Sequence, residues 1–345
     1  MSEGIVLIAL FSVSNDSNCS ELTWKQREKM KPDSTSAALN LSRKIRAIFW
    51  LVLGIFLMGL TPSKNPQTQV NAELLVTPVA LKKIPIDQKV IIDTRPKLKF
   101  ILGHIPGAIN LSNWKEFTAK KDGIKGLLID DKNFISETLA ALGLNPNLHI
   151  IIYGDPGDLW RTDGRFFWMF ERYGFTRVSL LDGGLKAWEH SGGAVENGFQ
   201  RKRKYSKIDP ETVQLNSETI ADKYLIKKAL HDKNFVLIDN RTQQEYQGAT
   251  PYGSARGGHI PNAKHIHWPD FFKENGALKS EADLAQLLHK SGIHPNQEII
   301  VYCTGGVRSA MAYFVFRYLG FKVRNYDGSW WDWSNDSKLP IETSG

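Results

Sequence analysis

The sequence predicts an α/β protein built twice over, each half a parallel sheet flanked by helices. Three observations predict it. Short apolar, β-branched runs recur at matching places: Val90-Ile91-Ile92-Asp93 is answered by Val236-Leu237-Ile238-Asp239, and the run HIIIY at 149–153 by EIIVY at 298–302. Such runs read as strands buried on both faces, the pattern of parallel sheets. A stretch of helical period closing on a glycine follows each of the second pair, at 166–174 and at 310–320. Finally, two loop motifs repeat in register with the strands. Asp93-Thr94-Arg95 precedes Gly103-His104-Ile105-Pro106, and Asp239-Asn240-Arg241 precedes Gly258-His259-Ile260-Pro261. Strands alternating with helices indicate an α/β sheet covered on both faces.

The repeat continues to the end of each half, where Leu181-Asp182-Gly183-Gly184 with Trp188 answers Tyr326-Asp327-Gly328-Ser329 with Trp333. The chain has 345 residues, 42% of them hydrophobic, enough for one large core or two of ordinary size, and the repeat favours two domains. The predicted division is 1–73 as an N-terminal export signal or anchor, 74–190 as the first α/β domain, 191–210 as a linker, and 211–345 as the second domain. The linker reads SGGAVENGFQRKRKYSKIDP, glycine-rich and basic with no apolar period. The net charge of +8 draws heavily on 25–46 and on Arg201-Lys202-Arg203-Lys204. No basic face interleaved with stacking aromatics accompanies them, so nucleic-acid binding is not predicted.

Residues 47–60, AIFWLVLGIFLMGL, carry no charge and follow Arg43-Lys44-Ile45-Arg46. The run is shorter than the roughly 20 residues of a membrane span and matches a secretory apolar region behind a basic start. Val70-Asn71-Ala72 offers a small-residue cleavage site. The protein is therefore expected in the periplasm or cell envelope, either cleaved or tethered through 47–60. A buried helix is the remaining reading of the run.

Of the two cysteines, Cys19 falls in this leading segment, which leaves Cys303 as the thiol of the fold. One cysteine makes no intrachain disulfide and, with no histidine pair near it, no zinc site; no metal or cofactor is predicted. Cys303 stands at the carboxyl end of a predicted strand, where open α/β sheets bind ligands. Thr304-Gly305-Gly306-Val307-Arg308 then joins it to a helix beginning near Ser309-Ala310. A short connection with two glycines can turn several N–H groups toward one atom, and a helix N-terminus adds to that field. Such surroundings lower a thiol pKa from about 8.5 into the range of roughly 3.5 to 7.5. Arg308 places a permanent positive charge beside the same sulfur. Cys303 is thus the candidate nucleophile, in a loop suited to a sulfur-bearing anion.

The doubled Asp-x-Arg, Gly-His-Ile-Pro and strand–loop–helix pattern, with Cys303 and Tyr326-Asp327-Gly328-Ser329-Trp330, resembles the tandem rhodanese-type sulfurtransferases over about residues 74–343. The resemblance implies two rhodanese-like domains, of which only the second is catalytic. It implies a sulfane sulfur taken from a small anionic donor, thiosulfate or 3-mercaptopyruvate. Cys303 would hold it as a persulfide and pass it to a thiol or cyanide. The first domain, with Gly154-Asp155-Pro156-Gly157-Asp158 where the cysteine loop would fall, is expected to supply one wall of a cleft. A place near that cleft is implied for His104. From the residues themselves, Asp93–Arg95 and Asp239–Arg241 are expected to be structural ion pairs, His259 a loop anchor, and Trp330, Trp331 and Trp333 packing residues.

The loop departs from both patterns in the family. Mercaptopyruvate enzymes carry Cys-Gly-Ser/Thr-Gly-Val-Thr and thiosulfate enzymes Cys-Arg-Lys-Gly-Val-Thr. Here Thr304-Gly305 inverts the first pattern, no basic residue follows Cys303 directly, and Arg308 stands for the final threonine. Glu245 occupies a position where both types commonly place a substrate-binding arginine. Arg256 and Arg308 are the candidates to replace it. Two other readings keep the same loop: a non-catalytic persulfide carrier, and a phosphatase or arsenate reductase. The latter spaces Cys and Arg by five residues, one more than here.

Overall fold

The computed structural model describes residues 69–201 and 207–343. The chain divides into two units, 1–65 and 66–345, and the described residues belong to the second. The apolar run 47–60, Cys19, the basic residues of 25–46 and Lys202-Arg203-Lys204 lie outside them.

The first half contributes β1 (Leu75–Val76), α1 (Pro78–Lys83), β2 (Lys89–Asp93), α2 (Lys97–Leu102), β3 (Ile109–Asn110), β4 (Thr118–Lys121), β5 (Ile124–Leu128), α3 (Lys132–Ala141), β6 (His149–Tyr153), α4 (Thr162–Arg172), β7 (Val178–Leu181) and α5 (Gly184–His190). The second contributes β8 (Ile220–Ala221), α6 (Lys223–Ala229), β9 (Phe235–Asp239), α7 (Gln243–Gln247), β10 (Lys264–His265), α8 (Glu281–Lys290), β11 (Glu298–Tyr302), α9 (Arg308–Tyr318), β12 (Val323–Tyr326) and α10 (Ser329–Asn335). The five-stranded sheets run β1-β7-β6-β2-β3 and β8-β12-β11-β9-β10, the same order twice, and every pairing within them is parallel. The sequence repeat is thus a repeat of topology.

Alternation along each strand sorts side chains into separate cores. Ile150 and Ile152 of β6 face one cluster while Ile151 and Tyr153 face another, and Ile299 and Val301 of β11 part from Ile300 and Tyr302 in the same way. The outer clusters belong to one half each. The inner faces share one core, because α4 and α9 pack against each other across it, with Phe167 and Phe314 edge to face at 5.0 Å. Gly164 permits that approach: a Cβ there would lie 2.5 Å from the Met311 Cα. The two domains therefore share one inner core, while each keeps an outer cluster of its own.

The expected linker is less free than its composition suggests. Glu196 pairs through its backbone with His104 at 2.9 Å in both directions, its carboxylate accepts the Gly107 N–H at 2.8 Å, and Trp188 donates to Ala194 O at 2.7 Å. Residues 191–201 lie back on the first half. The folded unit also begins before the predicted boundary, since Asn71 donates from its backbone to Tyr318 O and from its amide to Arg317 O, at 2.8 and 2.7 Å. Cleavage after Ala72 would remove that clasp.

Candidate active site

Cys303 follows β11 directly, and the start of α10 ties down its backbone and that of Thr304. Trp330 N–H donates to Cys303 O and Trp331 N–H to Thr304 O, both at 3.0 Å, while the Ser329 hydroxyl accepts from Cys303 N–H at 3.2 Å. Ser329 sits in the left-handed region at φ 50, a conformation costly for a residue with a side chain. Its hydroxyl bond to Tyr326 O, at 2.7 Å, helps hold it there. Gly306, at φ 75, lies so close to Asp327 that a Cβ would come within 2.6 Å of its carbonyl oxygen. The motif Tyr326-Asp327-Gly328-Ser329-Trp330 thus serves as the seat of the cysteine loop.

The Gly305 and Ser309 amides are the backbone groups that favour the thiolate form of Cys303. Burial pushes the Cys303 thiol up; against it act the Arg308 charge, the Ser309 N–H and hydroxyl, and the Gly305 N–H, and the result lies below the ordinary value. The Ser309 hydroxyl also lies 2.7 Å from Asn325 Oδ1, so its single proton can serve only one acceptor at a time. The backbone donors and Arg308 are the constant part of the field.

Arg308 is buried and committed. Its terminal nitrogens donate to the two Glu245 oxygens at 2.7 and 2.8 Å, and one of them also to the Thr304 hydroxyl at 2.6 Å. Thr304 in turn donates to Glu245 at 2.6 Å. Glu245 owes its position to local structure. As the third residue of α7 it closes a capping box with Thr242, accepting from Thr242 N–H at 3.2 Å while its own N–H donates to the Thr242 hydroxyl. Burial would raise the Glu245 carboxyl, but the Arg308 hydrogen bonds and charge, with the Thr304 hydroxyl and Thr242 N–H, bring it down to about 2.

Arg308 lines the cleft and steadies the thiolate, but the fork of donors expected to grip a substrate is already filled by Glu245. Arg256 is a correction: its guanidinium donates to the carbonyls of Ser334, Leu339, Trp333 and Asp336, stitching the end of α10, and it does not line the cleft. His104 is another. It is buried against Phe100, stacked at 3.7 Å with Nδ1 2.8 Å from Phe100 O. His259 repeats this arrangement on Tyr246, with centroids at 3.6 Å and Nδ1 2.9 Å from Tyr246 O. A histidine in the same role in both halves anchors its loop, and neither lines the cleft. Asp93–Arg95 and Asp239–Arg241 are structural pairs as expected, each at 2.6 Å with the arginine also donating to the carbonyl before the histidine.

The cleft over Cys303 has a volume of about 730 Å³ and is lined from both halves. Thr304, Gly305, Val307 and Arg308 form its floor with Cys303, and the first half supplies Trp114, Lys115, Lys120, Lys125 and Trp160. The β4–β5 hairpin is the wall, tied down where Asp327 accepts from Leu128 N–H at 2.7 Å and from Arg165 at 2.5 Å. Arg165 also donates to Gly306 O and Gly126 O, both at 3.1 Å, so one buried guanidinium joins hairpin and cysteine loop. Trp331, expected to be packing, is half-buried and lies over Gly305, leaving no room there for a side chain. The three lysines, Trp331 and Glu245 are site residues that the sequence reading missed. For Glu245 the visible pointers were its place at the family's arginine position and the Thr242-Gln243-Gln244-Glu245 capping signature.

In the first half the corresponding loop is inverted in charge. Lys99, at the same offset from Asp93 as Glu245 from Asp239, pairs with Asp155. Asp158 caps the start of α4, accepting from Thr162 N–H at 3.0 Å. An anion has no cradle there.

A cysteine at the carboxyl end of a strand, before a glycine-bearing loop and a helix, on the second of two sheets of the same strand order, defines a rhodanese-type site. The chain belongs to the rhodanese family: the family model for the rhodanese-like domain matches residues 77–191 and again 223–336. Among curated relatives, a thiosulfate sulfurtransferase of Corynebacterium glutamicum is 31% identical, covering 74% of this chain and 85% of its own. A sulfur carrier protein, TtuD, of Thermus thermophilus is 30% identical, covering 71% and 87%. Among solved structures, YnjE is 27% identical with a TM-score of 0.68, over 82% of this chain and 70% of that one. An anaerobic ergothioneine biosynthesis enzyme from Chlorobium limicola, 22% identical with a TM-score of 0.69 over 82% and 73%, shares the fold. The protein is a tandem rhodanese of the sulfurtransferase and persulfide-handling class.

Proposed function

We propose that the protein takes a sulfane sulfur from thiosulfate onto Cys303 and delivers it to a thiol or to cyanide. The observation that carries this reading is the lowered Cys303 thiol at the floor of a cleft whose wall bears three lysines. The Cys303 thiolate attacks the outer sulfur of thiosulfate, the donor's sulfur–sulfur bond breaks, and sulfite leaves with the electron pair. Charge is conserved, and Cys303 carries the sulfur as a perthiolate facing the Gly305 and Ser309 amides.

Thiosulfate is favoured over 3-mercaptopyruvate on two grounds. No free arginine fork meets a carboxylate at Cys303, because Glu245 occupies that of Arg308. The loop hydroxyl of mercaptopyruvate enzymes has no place at Gly305 beneath Trp331. The cations that the loop lacks come instead from the turn Trp114–Phe117 and the hairpin, where they raise the local concentration of an anionic donor. The names of the relatives in Corynebacterium glutamicum and Azotobacter vinelandii, both thiosulfate sulfurtransferases, agree. Steady-state transfer to cyanide with each donor tests the choice. Turnover with thiosulfate is expected to exceed that with mercaptopyruvate, and the reverse order would overturn it.

The proposed location is the cell envelope, through the basic start and apolar run that end at residue 60. Among the described residues no helix is long and apolar enough to cross a membrane. Fractionation should find the protein outside the cytoplasm, soluble or membrane-held; a full-length cytoplasmic pool would overturn the proposal.

A further inference from the structure

The cleft is far larger than thiosulfate requires. At about 730 Å³ it falls within the roughly 300 to 1,000 Å³ that small organic ligands occupy. Its charge is of one sign, for no aspartate or glutamate lines it, while Lys115, Lys120 and Lys125 do. All three are exposed, and none has an acidic partner among the described residues. They are spread along the wall, on the turn Trp114–Phe117, on β4 and on β5. Four aromatic residues, Trp114, Trp160, Tyr252 and Trp331, share the lining, and rings among them already carry cations. Lys125 stands 4.3 Å from the Trp331 ring, and Arg308 lies 5.4 Å from both Trp160 and Tyr252. A cationic ligand would meet occupied ring faces and three like charges. An extended anion would meet aromatic surface for its body and ammonium groups for its ends.

We infer, on the sulfur-transfer reading above, that the acceptor is a small organic thiol bearing two or more carboxylates, selected by Lys115, Lys120 and Lys125 of the non-catalytic half. The acceptor enters as a thiolate, its proton having gone to water. The Cys303 perthiolate takes up one proton from water, and the acceptor thiolate then attacks the outer sulfur of the resulting persulfide, so that a new sulfur–sulfur bond forms. The bond from Cys303 to that sulfur breaks, its electron pair remains on Cys303 as the thiolate, and the acceptor leaves as a persulfide carrying the outer proton. The non-catalytic domain thereby acquires a role in choosing the substrate, since the cysteine loop offers no free cation of its own.

The test uses the full chain loaded with thiosulfate, the sulfur on Cys303 verified by mass. Transfer is measured to glutathione, a dicarboxylate thiol, and to 2-mercaptoethanol, an uncharged one. In the variant combining Lys115→Ala, Lys120→Ala and Lys125→Ala, the ratio of kcat/KM for glutathione to that for 2-mercaptoethanol should fall about ten-fold or more, the scale of about 1.4 kcal/mol. Lys120→Glu alone should lower it as well, and so should high salt with the wild type. An unchanged ratio in both variants overturns the inference while leaving sulfur transfer intact. A wild-type protein that accepts no sulfur from thiosulfate overturns the transfer reading itself, and the acceptor with it.

Discussion

Glu245 holds both terminal nitrogens of Arg308, at 2.7 and 2.8 Å, and thereby neutralises the one cation of the cysteine loop. The thiolate thus feels an arginine whose field is partly cancelled from behind. Glu245→Gln, which keeps an acceptor but removes the charge, should lower the Cys303 pKa further, and Arg308→Ala should raise it. The pH dependence of Cys303 alkylation by iodoacetamide reads both. Shifts in the same direction would contradict this account of the charges.

Arg308→Ala also leaves a buried carboxylate without its partner. Breaking a buried pair in this way costs about 3–5 kcal/mol. Urea unfolding should place Arg308→Ala well below Glu245→Gln in stability.

The Glu245 carboxyl also ties stability to acid. Its pKa falls from an ordinary 4.5 to about 2 on folding, so its contribution is complete above 4.5 and is lost as pH drops through about 2. The stability difference between wild type and Glu245→Gln should be constant near neutrality and shrink through that window. A difference that widened on acidification would reverse the sign argued here.

Gly164→Ala isolates the contact between the halves. In an unobstructed helix this change would stabilise by about 1 kcal/mol. Here the new Cβ would lie 2.5 Å from Met311 Cα, and such overpacking typically costs about 1–3 kcal/mol. The melting temperature should therefore fall. Sulfur transfer should fall with it, because α4 carries the Arg165 that anchors the cleft wall.

The fold was legible because it is written twice: the runs at β2, β6, β9 and β11, the Asp-x-Arg pairs and the Gly-His-Ile-Pro loops repeat at matching places, and the structure gives them matching partners. Cys303 and its loop were legible as a strand end followed by glycines and a helix. What sequence order concealed is contact across the chain. Arg308 meets Glu245 from 63 residues away, and Arg165 meets Asp327 from 162. Neither spacing announces a pair. The three lysines lie in a half without the nucleophile and acquire meaning only when the hairpin folds over Cys303. Arg256 and His104 misled for the opposite reason, since each looked available in sequence and is bound to backbone carbonyls in the structure.

The central claim is that Cys303 receives a sulfur atom as a persulfide. Intact mass of the protein before and after thiosulfate measures it most directly. The account predicts a gain of one sulfur atom, located on Cys303, removed by cyanide or a thiol and absent from Cys303→Ser. A protein whose mass is unchanged by thiosulfate, 3-mercaptopyruvate or a persulfide donor would contradict it.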